Sequence, residues 1–329
     1  MDAIRWGVLG VANIAIRAVI PAIQRAQNAR LVAIASRAPA RAGDAARRLG
    51  VRAHGSYEAL LGDGEVDAVY IPLPNSLHRE WTLKAAAAGK HVLCEKPLGL
   101  SVGECREMIA SCRARGVHLM EAFMYRFHPR TARVAHLAAE GALGELRLVR
   151  AAFTFPVREP GRNIRFRPEL GGGALYDVGC YCVNASRMLL GEPALAFAWG
   201  KLGETGVDEG VTGLLRFDDR RTAVVDASLR IERREEVEVV GTEGRLLIPK
   251  AFLPGTDDTE LHLFRGAERT VETIPGTEQY QRMVEAFGEA VRSGAPVALP
   301  PEDAASNLAA IGALLRSLRS GQPEPVPRG

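Results

Sequence analysis

Cysteine is scarce, long apolar runs are missing and neither sign of charge dominates, and each shortage removes a class of protein. Five cysteines in 329 residues cannot all pair, and none stand in the C-x-x-C spacing of a zinc site. Cys180 and Cys182 lie two apart in a stretch of helical pattern, where their side chains diverge. Five reduced thiols are therefore expected, as in a cytoplasmic chain. No eighteen consecutive residues are apolar, so no membrane-spanning helix is expected, and the first residues lack the charged-then-apolar pattern of a secretory signal. The 42 Lys and Arg against 39 Asp and Glu leave a net charge of +3. That balance argues for neither a nucleic-acid nor a membrane partner. The densest charge cluster, Glu232 to Glu238, reads as the solvated face of a strand. His54, His91, His118, His128, His136 and His262 show no metal-ligand spacing, so no metal is expected. No Ser-His-Asp arrangement can be assembled from spacing.

What is present is alternation. Ile4 to Leu9, Leu31 to Ser36, Val66 to Pro72, His91 to Glu95 and Val117 to Glu121 are short, almost continuously apolar runs. Such runs suit strands covered on both faces. Between the first two, Ile14, Ala15, Ala18, Val19, Ala22, Ile23 and Ala26 form one helical stripe, interrupted at Pro21 where a kink is expected. Residues 39–49, 76–89 and 101–115 also read as helices. Strands alternating with helices imply a parallel sheet with right-handed crossovers.

After about residue 122 the pattern changes. Strands are expected at 145–157, 194–203, 209–217, 221–230, 235–241 and 244–248, with hairpin turns at Asp218-Asp219 and at Thr242 to Gly244. Short links between successive strands imply an antiparallel sheet. Helices are expected at about 174–190, 279–292 and 301–320. The stripe Tyr280, Met283, Val284, Phe287 and Val291 reads as core packing, and the tail from Gln322 as loose or extended. The resulting α/β chain has two domains, residues 1–122 for dinucleotide binding and 123–329 for substrate binding and oligomerisation.

The first strand runs into Gly10-Val11-Ala12-Asn13-Ile14-Ala15. This is the G-x-G-x-x-G spacing with alanine at its second and third places. Gly10 permits the tight turn, and the small Ala12 and Ala15 permit close approach of backbone to a pyrophosphate and of helix to strand. The N–H groups of Asn13 and Ile14 open the helix towards the anion. The second strand ends at Ser36-Arg37, where an NAD site usually places an acidic residue. Ser36 can donate to a 2′-phosphate, and Arg37 and Arg41 can offer charge-assisted bonds, so NADP(H) is expected over NAD(H). A later strand runs into Glu95-Lys96-Pro97, which puts Lys96 at the carboxyl edge, where open α/β sheets place ligands. Pro97 stiffens that turn, with a cis bond as one option.

These motifs, with Ile71 to His78, Gly171-Gly172-Gly173-Ala174-Leu175-Tyr176-Asp177-Val178-Gly179-Cys180-Tyr181, Gly241 to Gly244 and the Tyr280 to Gly294 helix, resemble the Gfo/Idh/MocA oxidoreductase family across essentially the whole chain. The first turn is similar to the branch holding glucose–fructose oxidoreductase, dimeric dihydrodiol dehydrogenase and NADP-linked xylose dehydrogenase. The resemblance implies a Rossmann domain followed by an α/β domain with a large open, mostly antiparallel sheet, a homodimer or homotetramer, and a sugar or polyol substrate. It implies Lys96 as the active-site lysine, and Asp177 as the acid that binds substrate or orients catalytic groups. Tyr181 takes the position that is often His in the wider family. Pro72, Leu73, Asn75, His78 and Glu95 would line the cofactor, and Arg162 and Asn163 would lie in a loop near the nicotinamide.

Asp177 and Tyr181 are four apart on the expected helix and so share a face. Tyr181 is the expected proton donor and acceptor, with its phenol, normally near pKa 10, lowered by the charge of Lys96. An aldose or pyranose dehydrogenase is the leading expectation. A keto-sugar reductase, a trans-dihydrodiol dehydrogenase and a non-catalytic dinucleotide-binding sensor are the alternatives. A glycosidase that retains NAD is opposed by the missing acidic residue after the second strand.

Overall fold

The apolar runs of the first third assemble into one parallel sheet. The structure, a computed structural model, describes residues 3–158, 161 and 163–327. Packing divides the chain into Met1–Met124 with Glu278–Ala305, and Tyr125–Thr277 with Ser306–Gly329. The first unit thus takes Glu278–Ala305, which a single division after residue 122 assigns to the second.

In the first unit β1 (Ile4–Leu9), β2 (Ala29–Ala35), β3 (Arg52–His54), β4 (Ala68–Ile71), β5 (His91–Cys94) and β6 (Leu119–Glu121) pair in the order β3-β2-β1-β4-β5-β6, every pair parallel. The order reverses at β1 and β4, and a ligand crevice opens at the carboxyl ends of strands at such a point. β4 is buried at every residue, as a strand covered on both faces must be. The intervening helices are α1 (Ile20–Arg25), α2 (Pro39–Leu49), α3 (Tyr57–Leu61), α4 (His78–Ala87) and α5 (Val102–Ala114). β3 and α3 are too short to leave a periodic signal and were not expected. The disturbance expected at Pro21 lies just before it: Ala15–Val19 is π-helical, and Ile20 N donates to Ala15 O, five residues back. Proline lacks the N–H that would continue the ordinary ladder.

The helix Gln279–Ser293 joins this unit because its apolar stripe needs a partner. Met283, Val284 and Phe287 are fully buried, and the Phe287 ring lies 5.5 Å from that of Trp6 on β1.

In the second unit β7 (Leu146–Thr154), β8 (Leu195–Leu202), β9 (Asp208–Arg216), β10 (Thr222–Ser228), β11 (Arg234–Gly241), β12 (Arg245–Pro249), β13 (Thr259–Arg265), β14 (Glu268–Ile274) and β15 (Glu324–Pro325) form one sheet. Its order is β14-β13-β12-β11-β7-β10-β9-β8-β15, and among the described residues only β7 and β10 pair in parallel. Both expected hairpins are present, β9–β10 and β11–β12. β13, β14 and α6 (Pro129–Ala139) were not expected, and the tail forms the short edge strand β15 against β8. The α/β fold class read from the sequence is borne out.

α7 (Cys180–Leu190), entered through the π-helical turn Leu175–Gly179, covers one face of this sheet. A Cβ on Gly179 would stand 3.2 Å from that of Ala227 on β10, which is how close helix and sheet come. The other face leaves Trp199 77% and Leu214 47% exposed. The remaining helices are α8 (Gln279–Ser293) and α9 (Glu302–Ser320). Among the described residues no helix is long and apolar enough to cross a membrane.

The charge cluster at Glu232 to Glu238 is not wholly a solvated face. Glu235 is buried, accepts from Phe252 N at 3.0 Å and from Leu253 N, and pairs with Arg233. Two backbone donors and a cation compensate the lost water. All five cysteines are buried and stand outside any disulfide.

Candidate active site

In the first unit the expected residues gather at the carboxyl ends of β1, β2, β4 and β5. Gly10 follows β1 with φ +125, which L side chains rarely adopt, and its N–H donates to Ala35 O at the end of β2. A Cβ there would meet the Leu73 side chain at 3.1 Å and the Tyr57 hydroxyl at 3.8 Å, so glycine keeps this space open. Ile16 N donates to Ala12 O at 3.0 Å. The N–H groups before it belong to the first turn, which has no intrahelical acceptor for them.

At the end of β2 the buried Ser36 accepts from Ala38 N at 3.2 Å, which leaves its hydroxyl hydrogen free to donate. Arg37 and Arg41 are exposed. Arg41 donates to Val11 O at 3.0 Å and so ties the glycine turn to α2. Tyr57 stands beside Arg37. Burial pushes its phenol up, while the charge and the N–H groups of Arg37 pull the other way.

Beyond β5, the half-buried Lys96 is held by its backbone. Its N–H donates to Glu95 Oε2 at 3.3 Å, and the bond to Pro97 is cis. Glu95 also accepts from the buried Tyr70 hydroxyl at 2.6 Å. Burial first, and then the Glu95 charge, keep that phenol protonated. Leu98 N donates to the buried Glu121 carboxylate at 2.7 Å. His78 is fully buried, with Nδ1 2.8 Å from Pro97 O and Nε2 2.8 Å from Leu73 O. It joins the loops that follow β4 and β5. Burial pushes the imidazole pKa down, against the two carbonyls, which favour the protonated ring. Pro72 and Leu73 are buried and Asn75 is half-buried on the same loop.

In the second unit Gly172 and Gly173 serve close approach. A Cβ on Gly172 would stand 2.5 Å from Arg165 O, and one on Gly173, at φ +125, would collide with the Asp208 carboxylate. Gly173 N donates to Arg165 O at 2.9 Å, and Gly172 N to Arg167 O at 3.0 Å. The loop 163–167 is thereby pinned beside the helix start. Arg165 Nε donates to Asp177 Oδ2 at 2.5 Å, and Asn163 Oδ1 accepts from Arg165 N at 3.1 Å. The sequence pointed to Arg162 and Asn163 and passed over Arg165. Arg162 lies outside the described residues. Nothing local marks Arg165, one of many arginines, as the partner of Asp177.

Tyr181 sits one helical turn past Asp177 and is 5% exposed. Its ring lies 6.0 Å from that of Tyr125, 5.4 Å from Phe153 and 5.3 Å from Phe252. Tyr125 Oη donates to Asn184 Oδ1 at 2.5 Å, and Arg126 Nη1 donates to the same oxygen at 3.2 Å. An aromatic wall of this kind fixes the ring of Tyr181.

A family model described as an oxidoreductase family with an NAD-binding Rossmann fold matches residues 4–123, and that for a GFO/IDH/MocA C-terminal domain matches residues 131–247. The chain belongs to the Gfo/Idh/MocA oxidoreductase family. The resemblance read from the sequence is borne out. Within the Gfo/Idh/MocA family, the chain is 42% identical to a D-xylose 1-dehydrogenase (NADP(+)) from Haloferax volcanii, over 96% of this chain and 98% of the relative. It is 35% identical to a trans-1,2-dihydrobenzene-1,2-diol dehydrogenase from Xenopus laevis, over 75% and 76% of the two chains. Among solved structures it superposes with TM-score 0.90 on a 3-ketoreductase from Actinomadura kijaniata in complex with NADP and TDP-benzene. That pair is 34% identical over 96% of this chain and 98% of the other.

The residues present fit the dinucleotide of a Gfo/Idh/MocA enzyme. Gly10 keeps a cradle clear that a Cβ would fill. The helix start beside it presents N–H groups to an anion. The β2 end offers a hydroxyl and two guanidinium groups, with Ser36, Arg37 and Arg41 in place of a carboxylate.

Proposed function

We propose that this chain is an NADP(H)-dependent oxidoreductase that moves a hydride between the nicotinamide and a carbon of a sugar or polyol, with Tyr181 exchanging the proton and Lys96 assisting it. The observation that carries this reading is the 42% identity, along nearly the full length of both chains, to a D-xylose 1-dehydrogenase that uses NADP(+). A bound nicotinamide takes up or supplies the hydride. Gly10, Ala12, Asn13 and Ile14 hold the pyrophosphate, and Ser36, Arg37 and Arg41 hold the 2′-phosphate. Pro72, Leu73, Asn75, His78, Glu95 and Lys96 line the cofactor, and Arg162 and Asn163 are assigned to it by resemblance to the family.

In oxidation the substrate hydroxyl gives its proton to Tyr181 as the hydride leaves, so alcohol and NADP⁺ become carbonyl, NADPH and a proton. In reduction the Tyr181 hydroxyl donates. A cationic ammonium favours phenolate, and that is the help assigned to Lys96 in this reading. Asp177, held by Arg165 Nε at 2.5 Å, orients a substrate hydroxyl. Tyr181→Phe tests the assignment. It should lower turnover by about 10²- to 10⁴-fold, the usual worth of a positioned acid or base. Undiminished turnover removes Tyr181 from the role.

A keto-sugar reductase is the second reading, favoured by the superposition on the 3-ketoreductase that holds NADP and TDP-benzene. A screen of aldoses with NADP⁺ and of keto-sugars with NADPH, repeated with NAD⁺ and NADH, decides between the two. A homodimer or homotetramer belongs to the same proposal, supported by the open sheet face with Trp199 and Leu214 exposed. A cytoplasmic location belongs to it too, supported by five buried cysteines outside any disulfide.

A further inference from the structure

We propose that Asp208 is a positioning residue that sets the helix bearing Asp177 and Tyr181, and that Gly173 before that helix is there to admit its carboxylate. The proposal deepens the reading above and rests on it.

Asp208 opens β9 and is 3% exposed. A buried carboxylate is costly unless donors replace its water. Here the donors are backbone groups at a helix start. Leu175 N donates to Asp208 Oδ2 at 2.6 Å, and the Ala174 N–H also bonds to the carboxylate. These two N–H groups stand in the first turn, which lacks intrahelical acceptors, and a negative charge there meets the positive end of the helix dipole. Asp177 follows two residues after Leu175, and Tyr181 one turn later. Any shift of the Leu175 backbone therefore displaces both.

Gly173 explains why the approach is possible. It has φ +125, and a Cβ on it would strike Asp208 Oδ1. Gly173 O also accepts from Asp177 N at 3.1 Å. One backbone thus links the Asp208 carboxylate, Asp177 and, through Gly173 N, the carbonyl of Arg165. Burial pushes the Asp208 carboxyl up to about 6, against the backbone donors and the charge of Arg319. An apolar residue at β9 would escape that penalty. The carboxylate stands where it holds the start of this helix.

Asp208→Asn keeps the shape and replaces one acceptor oxygen by a donor, which repels a backbone N–H. The experiment measures kcat, the substrate KM, the dissociation constant of NADPH by fluorescence, and thermal unfolding. Each is read for D208N, Y181F, D177N and the double variants D208N/Y181F and D208N/D177N. A positioning role predicts a folded D208N with NADPH affinity within about twofold of the parent and kcat lowered by about 10- to 100-fold, the loss expected when catalytic groups are misplaced by a fraction of an ångström to 1 Å. Adding D208N to Y181F should then cost little more, since the tyrosine it positions is already disabled. Unchanged kcat in D208N beside an impaired Y181F overturns the proposal. So do losses that multiply fully in both double variants, and so does a D208N that does not fold, which would make Asp208 structural. If Y181F turns over normally, it is the tyrosine reading that fails. Asp208 is then judged by D208N/D177N, where a loss smaller than the product supports positioning and a full product overturns it.

Discussion

Cofactor choice is where single substitutions separate most cleanly. Arg37 and Arg41 both stand beyond β2, but only Arg41 also bonds the glycine turn, at Val11 O. In the proposed site Arg37→Ala removes a cation assigned to the 2′-phosphate, together with its contact to the Tyr57 phenol. A hydrogen bond to a charged group contributes about 1.5–3 kcal/mol, so NADP(H) should bind about 10- to 150-fold more weakly. Both side chains are exposed, and salt screens exposed charges, so the loss should fall towards about tenfold at physiological ionic strength. NAD(H), which has no 2′-phosphate, should lose far less, since only the Tyr57 contact changes for it. Arg41→Ala removes a similar phosphate contact and also frees the Val11 carbonyl. That second bond is worth about 0.5–1.5 kcal/mol, so R41A should weaken NAD(H) about 2- to 10-fold and NADP(H) by more. Fluorescence titration with NADPH and NADH at two salt concentrations gives all four constants. Equal weakening of both cofactors by R37A would refute the assignment of that arginine to the phosphate.

His78→Ala leaves the carbonyls of Leu73 and Pro97 without their buried partner. The neutral ring donates to one of them, so at about 1–3 kcal/mol for that unsatisfied group the first unit should be destabilised by about 1–3 kcal/mol, read by urea unfolding. A change below about 1 kcal/mol would show that the imidazole does not hold the two loops. Asp208 should oppose the usual loss of stability in acid. Its folded pKa of about 6 lies above the unfolded value of about 3.9, so the folded state holds the proton more tightly. The stability it contributes is full below pH 4 and is lost as pH rises through 6, a difference of about 3 kcal/mol. Denaturant unfolding of the parent and of D208N at pH 4 and pH 7 reads this, and an unchanged difference between the two proteins at both pH values contradicts it.

Local order was legible. The runs Ile4 to Leu9 and His91 to Cys94, and the stripe from Ile14 to Ala26, carry their own period, because a strand covered on both faces or a helix packed on one must place apolar side chains at fixed spacing. Gly10 and Lys96 could be placed at strand ends for the same reason, since each follows closely on a strand whose carboxyl end the pattern identifies. Short pieces such as β3, with three residues, hold too few positions to show a period.

Chain order and periodicity alone thus determined the parallel sheet, the glycine turn, the absence of an acidic residue after β2 and the helix with Asp177 and Tyr181. Tertiary structure decided the rest. α8 returns to pack Phe287 on Trp6, 281 positions away in the chain. Glu121 caps Leu98 N, Asp208 caps Leu175 N and Arg165 takes Asp177. A carboxylate in a strand reads as solvated until the fold shows which backbone N–H it meets, because burial and partnership of a polar group are properties of what surrounds it and leave no spacing in its own segment.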